Sequence, residues 1–263
     1  LRNALIDMYA KCGRMDISVD VFSELCERDI VSWNAVITGY SQHGHAQEVY
    51  EAFLEMLREG VEPNEVTFIT VLKVCSDFVS VDCGKKIHVI TRETLYVCDA
   101  FVRSTLLDMY AKCGNIMDAS NLFENSVDQD KVSCNVMIAG YAQHGKLDEA
   151  LNCISQMEKE GLHPDGATFS CILSICGCMR AIDEGGRIHD AITSRGLLEK
   201  NNVLVAALVG MYAKCGVFTR AESVLEELHV LDIVAWNALI AGYIQHGRCQ
   251  EVPENAKGRD LSR

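Results

Sequence analysis

The sequence predicts an all-α fold, an α-solenoid superhelix of stacked helix-turn-helix repeats. Recurring phrases and helix-spaced apolar stripes carry that prediction. The hexapeptide MYAKCG occupies residues 8–13, 109–114 and 211–216, at spacings of 101 and 102 residues. GYSQHG at 39–44, GYAQHG at 140–145 and GYIQHG at 242–247 keep the same beat. They follow Trp33-Asn34-Ala35-Val36-Ile37, Cys134-Asn135-Val136-Met137-Ile138 and Trp236-Asn237-Ala238-Leu239-Ile240. A catalytic motif rarely needs three copies, whereas a structural unit repeated in register does.

Trp33, Val36, Ile37 and Tyr40 stand at i, i+3, i+4 and i+7, one face of a helix. Gly44 fits a helix C-terminal stop. Val49, Ala52, Phe53 and Met56 form a second stripe, which the stretch from Gly60 to Pro63 breaks. Ala221, Val224, Leu225 and Leu228 repeat the second-helix pattern downstream. One unit is therefore helix, turn, helix, turn. The beats divide the chain at 1–29, 30–64, 65–99, 100–130, 131–165, 166–201, 202–232 and 233–263. A single helical pair cannot bury both apolar faces, but stacked pairs can, and the stack offers a long concave face lined by the same helix of every unit.

Composition agrees. Of 263 residues, 49% are hydrophobic and 23% charged, as a folded protein with a large core requires. Three prolines leave long helices possible. No stretch approaches the roughly 18 apolar residues of a membrane span. The net charge of −13 weighs against nucleic-acid binding, because phosphate contacts need Lys and Arg. The chain opens at Leu1 inside a helical pattern, as a fragment would, so the lack of a visible targeting peptide carries no weight. Thirteen cysteines include no C-x-x-C, and Cys176-Gly177-Cys178 is the nearest approach. Cys12, Cys113 and Cys215, recurring within the hexapeptide, are expected to be small buried residues in a reducing compartment, with no metal or disulfide role.

Helical pairs of about 35 residues carrying WNAVITGYSQHG and GVEPN resemble the pentatricopeptide repeat. The alternation of unit lengths is similar to its plant-type PLS subclass, in the order S, P, L, S, P, L, S, P. The resemblance implies a right-handed superhelix that binds single-stranded RNA in a mitochondrion or chloroplast. It implies one base read per unit, no catalysis and no cofactor, with other RNA-processing factors as possible partners. In the family the fifth and last residues of a unit read the base. Those positions hold Asn3/Asp29, Asn34/Asn64, Ser104/Asp130, Asn135/Asp165, and Asn237 with its partner lost. An amide offers donor and acceptor to a pyrimidine edge, and a carboxylate only accepts. The family pattern implies U for Asn3/Asp29 and Asn135/Asp165, C or U for Asn34/Asn64, G for Ser104/Asp130, and a pyrimidine for Asn237. The second residue of a unit sandwiches the bases, which assigns that role to Val31, Phe101, Val132, Val203 and Val234.

Some positions depart from the pattern. Ile69, Ser170 and Ala206 fill the fifth position without an assignable base. Pro253 is expected to disrupt the last second helix, and Glu254–Arg263 carries no apolar stripe. Gly140 to Lys146 nearly spells a phosphate-binding loop, but Leu147 stands where Ser or Thr should hold magnesium. His43, His144 and His246 lie a full period apart, so a helix-end role is expected rather than a shared metal. The H-x-E and C-x-x-C patterns of zinc deaminases do not occur. The competing class is a protein-binding scaffold of the tetratricopeptide kind. A basic or neutral face on the reading helices favours RNA, and a uniformly acidic one favours a protein partner.

Overall fold

The computed structural model describes residues 2–126, 129–198, 201–227, 233–248 and 250. Among these residues the regular structure is entirely helical, fifteen α-helices with a short 3-10 turn at Tyr96–Cys98. The chain forms two compact units, residues 1–127 and 128–263.

The first unit holds α1 (Arg2–Lys11), α2 (Met15–Ser23), α3 (Ile30–Gln42), α4 (Ala46–Arg58), α5 (Glu65–Asp77), α6 (Val81–Glu93), α7 (Ala100–Lys112) and α8 (Ile116–Glu124). The odd-numbered helices, each the first of its pair, lie in a row, α1 on α3, α3 on α5 and α5 on α7. Each even helix packs on its own partner, and α2, α4 and α6 also pack on the next odd helix. The second unit holds α9 (Lys131–Gln143), α10 (Leu147–Lys159), α11 (Gly166–Met179), α12 (Ile182–Ser194), α13 (Asn202–Lys214), α14 (Phe218–Glu227) and α15 (Ile233–Gln245). It repeats the arrangement, with α9, α11, α13 and α15 in a row. Each unit is thus an α-solenoid of stacked pairs.

The apolar stripes become the layer between helices. Trp33, Val36, Ile37, Val49, Phe53 and Met56 are buried, while Tyr40 and Ala52 are half-buried. Ala221, Val224 and Leu225 are buried. Leu228, Pro253 and the stretch 254–263 lie outside the described residues. The first glycine of GYxQHG is where the row of first helices closes up. A Cβ on Gly39 would lie 2.7 Å from the Ala10 Cβ, and one on Gly242 would run into Ala213, 3.1 Å from its backbone. Gly114 follows α7 at φ +78° and Gly44 follows α3 at φ +74°, left-handed turns that favour glycine.

The hexapeptide makes a repeated set of contacts. Met109 packs against Gly84 of the preceding second helix, and Met211 against Gly185. The Tyr110 hydroxyl is hydrogen-bonded to His88 Nδ1 at 2.8 Å, and Tyr212 to His189 at 2.9 Å. Burial pushes the Tyr110 phenol up to about 12 and holds His88 below the usual imidazole value. Cys113 Sγ donates to the Cys75 carbonyl at 3.6 Å, and Cys215 to the Cys176 carbonyl at 3.9 Å. The expectation of buried cysteines in this motif needs correction, because Cys113 and Cys215 are half-buried and Cys12 is exposed. The residue sits just past the last helical turn, so its thiol reaches a carbonyl at the layer's edge.

The histidines serve helix ends. His43 Nε2 meets the Ala10 carbonyl at 2.7 Å and His246 Nε2 the Lys214 carbonyl at 3.1 Å, tying last turns of adjacent first helices together. His144 bonds the Gly140 carbonyl of its own helix at 2.8 Å. Gly140 to Gln143 form the last turn of α9, and the Lys146 ammonium pairs with Glu149 at 3.2 Å, which removes the phosphate-loop reading. Among the described residues no three His, Cys, Asp or Glu side chains come together to hold a metal ion. Nor is any described helix long and apolar enough to cross a membrane.

Candidate nucleic-acid interface

Asp29, Asn64, Asp99, Asp130, Asp165 and Asn201 all do the same local job, capping the first helix that follows. Asp29 accepts from the Ser32 amide at 2.8 Å, Asn64 from Thr67 at 3.1 Å, and Asp130 from Ser133 at 2.7 Å. Asp165 accepts from Ala167 and Thr168, both at 3.1 Å. Asp and Asn are favoured there because their short side chains satisfy amides that lack a partner in the helix. Capping therefore explains why these residue types stand at these places, whatever else they do.

Two of the capping side chains, Asp29 and Asn64, also bond directly to the amide of the preceding pair. Asn3 donates from Nδ2 to both Asp29 carboxylate oxygens, at 3.1 and 3.3 Å. Asn34 donates from Nδ2 to Asn64 Oδ1 at 3.1 Å. Asn135 accepts at Oδ1 from the Thr168 hydroxyl at 2.6 Å, and that hydroxyl lies 3.1 Å from Asp165 Oδ1. Two of the expected pairs are thus bonded directly, across 26 and 30 residues of chain, and Asn135 is linked to Asp165 through the Thr168 hydroxyl. Ser104 turns its hydroxyl back to the Ala100 carbonyl at 2.8 Å and is half-buried, while Asp130 belongs to the second unit. Asn237 is exposed on α15. Ser170 is back-bonded to Gly166 at 2.8 Å, and Ala206 is buried.

The pairs remain polar, and the two that contain aspartate are charged. Hydrogen bonding from the Ser32 amide leads the effects that hold the Asp29 carboxyl below its ordinary value. Burial pushes Asp165 upward, but the Thr168 amide and hydroxyl, Lys131 and the Ala167 amide together outweigh it and leave the carboxyl lowered. Both are carboxylates at neutral pH. Asp165 Oδ1 takes the cap bonds, while Oδ2 faces the Lys131 ammonium at 4.0 Å.

Above each cap stands an exposed apolar residue. Val31, Phe101, Val132, Val203 and Val234 are 58–71% exposed, unusual for large apolar side chains and repeated at the same turn of each first helix. Val66, 52% exposed, and the exposed Ala167 occupy the same place in α5 and α11. Sequence reasoning passed over these two, although the signal was present, since each lies two residues after a cap.

Charge is segregated between the helix sets. The first helices carry seven Lys and Arg against four Asp and Glu, and the second helices seven against eighteen. With the four capping aspartates the first-helix row is close to neutral. The acidity of the chain therefore lies mainly on the second helices.

An array of capped helical pairs with an exposed apolar residue two places after each cap, three of its steps linking an asparagine to the next cap, is a modular helical-repeat protein. The PPR repeat family matches residues 28–77 and 129–178, and the PPR repeat matches 2–30, 101–128 and 234–254. The chain belongs to the pentatricopeptide repeat family. A putative mitochondrial pentatricopeptide repeat-containing protein of Arabidopsis thaliana is 38% identical over 97% of this chain and 40% of its own length. A chloroplastic relative from the same plant is 35% identical over 94% of this chain and 36% of its own length. The chain thus spans about two-fifths of these relatives. Among solved structures, the pentatricopeptide repeat protein PPR10 in complex with an 18-nt psaJ RNA element superposes at a TM-score of 0.75. The identity is 21%, over 98% of this chain and 39% of that one. PPR10 from maize gives a TM-score of 0.71 at 24% identity, over 99% of this chain and 40% of that one. At these identities the likeness establishes the fold.

Proposed function

We propose that this chain binds single-stranded RNA, one base per helical pair, as part of a plant-type PLS array with the unit boundaries read from the sequence. The observation that carries this is the repeated step, in which an asparagine is linked to the cap of the next first helix beneath an exposed apolar side chain. The near-neutral first-helix row supports it, since the charge of −13 does not fall on the side that would meet phosphate. RNA bases stack on or between such side chains, and aromatic stacking contributes about 1–3 kcal/mol per base. Phe101 supplies the aromatic version and the valines a weaker one.

The uncommitted atoms match bases. Asp165 Oδ2 takes no cap bond and, beyond its 4.0 Å pairing with Lys131, has lone pairs for the N3–H of uracil. Asn64 Oδ1 already accepts from the Thr67 amide and from Asn34. That leaves Asn64 with N–H donors, which suit the bare N3 of cytosine better than uracil. Asn3/Asp29 is assigned to U and Asn237 to a pyrimidine on the family pattern. Ser104 commits its proton to Ala100 and presents an acceptor, as the donors of guanine require. The protein acts without catalysis of its own, in editing, splicing or stabilisation of transcripts, alongside other RNA-processing factors. The mitochondrial and chloroplastic names of its relatives support an organellar location.

Replacing Asn135 with Thr is expected to shift preference at one RNA position from U toward G and leave neighbouring positions alone. The change is on the order of 1–3 kcal/mol, borrowed from a good base contact. Binding of oligonucleotides differing at that position, measured at one fixed salt concentration, checks it. Equal loss on both RNAs assigns Asn135 a structural role. No loss on either favours the protein-binding scaffold.

A further inference from the structure

The two Asn–Asp pairs have identical side chains and different bonding. The difference traces to the third residue of the capped helix. Behind Asn3/Asp29 that residue is Ser32, whose hydroxyl donates to the Asp29 carbonyl at 2.7 Å. Asn3 is left to donate its own amide to the carboxylate. Behind Asn135/Asp165 the residue is Thr168, fully buried, with its hydroxyl 2.6 Å from Asn135 Oδ1. A hydroxyl has one proton, and this contact is shorter than the 3.1 Å to Asp165 Oδ1. Thr67, also fully buried, repeats the geometry at 2.6 Å from Asn34 Oδ1 while accepting the Asn64 amide at 3.2 Å. Ser133 repeats that of Ser32, donating to the Asp130 carbonyl at 2.9 Å. Two serines thus turn inward to their own cap, and two threonines reach across to the preceding unit. The second heavy atom on a threonine Cβ limits where its hydroxyl can point.

We propose that Thr67 and Thr168 are positioning residues for base specificity, each holding the carbonyl oxygen of the reading asparagine so that Asn34 and Asn135 present N–H donors alone to a base. The proposal rests on the RNA reading above. Neither threonine touches RNA, since both are wholly buried. A primary amide that can turn over offers an acceptor to the amino group of cytosine or adenine as readily as a donor to a uracil oxygen. Engaging Oδ1 with a buried hydroxyl stops the amide turning over and keeps that oxygen on the protein side, so the N–H group is what faces the base. Asn3, with Ser32 behind it, keeps Oδ1 uncommitted, so its position should discriminate less sharply than that of Asn135 although the reading pair is the same.

The test uses the full chain carrying Thr168→Ser or Thr168→Val. RNAs with U or C at the single position addressed by Asn135/Asp165 are titrated at fixed salt, and Tm is measured in parallel. Thr168→Ser keeps a hydroxyl for the capping box, so Tm is expected to fall only by the loss of one buried methyl group. The ratio of U to C affinity should fall about two- to tenfold, the worth of one hydrogen bond. Thr168→Val should lose the same ratio and also lower Tm, because the Asp165 amide loses its acceptor. An unchanged ratio in Thr168→Ser, or equal loss on both RNAs, overturns the proposal. Asn135→Thr separates the two claims. If it shifts base preference while Thr168→Ser does not, only the role of the threonine fails. If Asn135→Thr moves no preference, the RNA reading fails and this proposal falls with it.

Discussion

The hexapeptide at 109–114 and its copy at 211–216, one in each unit, make matched contacts with the helical pair before them. Met109 and Met211 sit on glycines, and Tyr110 and Tyr212 bond histidines. The copy at 8–13 has the same six letters, and no earlier helical pair is described beside it. Met8 is 44% exposed and Tyr9 half-buried, where Met109 is fully enclosed. A unit's environment is supplied by the pair before it, so stability is a sum of unit and interface contributions.

The largest test of that equivalence is in the core. Phe68 and Phe169 are counterparts in the two units, and both are buried. Replacing either with Ala is expected to cost about 3–5 kcal/mol, read by denaturant unfolding. Similar values would establish that the units are energetically alike, and a large asymmetry would break the comparison.

The caps come next. Asp165→Ala is expected to cost about 0.5–2 kcal/mol. Its counterpart Asn64 adds a difference in pH response. The folded carboxyls of Asp29 and Asp165 lie below their ordinary values. Their contribution is therefore fully present above the unfolded carboxylate value of about 3.9, and it is lost as pH falls through the folded one. Asp165→Asn should remove that part of the acid sensitivity while retaining a cap. Acid titrations followed by circular dichroism would show it.

The smallest effect probes the hexapeptide directly. Tyr110→Phe and Tyr212→Phe should each cost about 0.5–1.5 kcal/mol through the lost histidine bond. Tyr9→Phe should stay within about 0.5 kcal/mol. His88 adds a pH signature, since its folded value is lowered. The stability it contributes is whole above about pH 6.5 and declines as pH falls toward the folded value. Equal costs at all three tyrosines would contradict the reading that the preceding pair creates the contact.

Much of this protein was legible in its sequence, because the signals involved are local. A helix face repeats every three to four residues, a cap acts within three residues, and glycine permits a positive φ by itself. Trp33, Val36 and Ile37 are buried as their spacing requires, and Gly44 and Gly114 turn left-handed after their helices. The candidate reading positions could be found by counting from a resemblance; two pairs bond directly and a third is bridged by Thr168. Tertiary structure alone decided which atom each asparagine leaves uncommitted. That depends on a hydroxyl 33 residues away in the next helix, at Thr67 for Asn34 and Thr168 for Asn135. It also decided that the motif cysteines sit at the layer's edge rather than inside it. The acidic charge was visible only as a total until the stacking of pairs assigned most of it to the second helices. Local periodicity specifies which residues face inward. Contacts between stacked units specify what the inward and outward atoms meet.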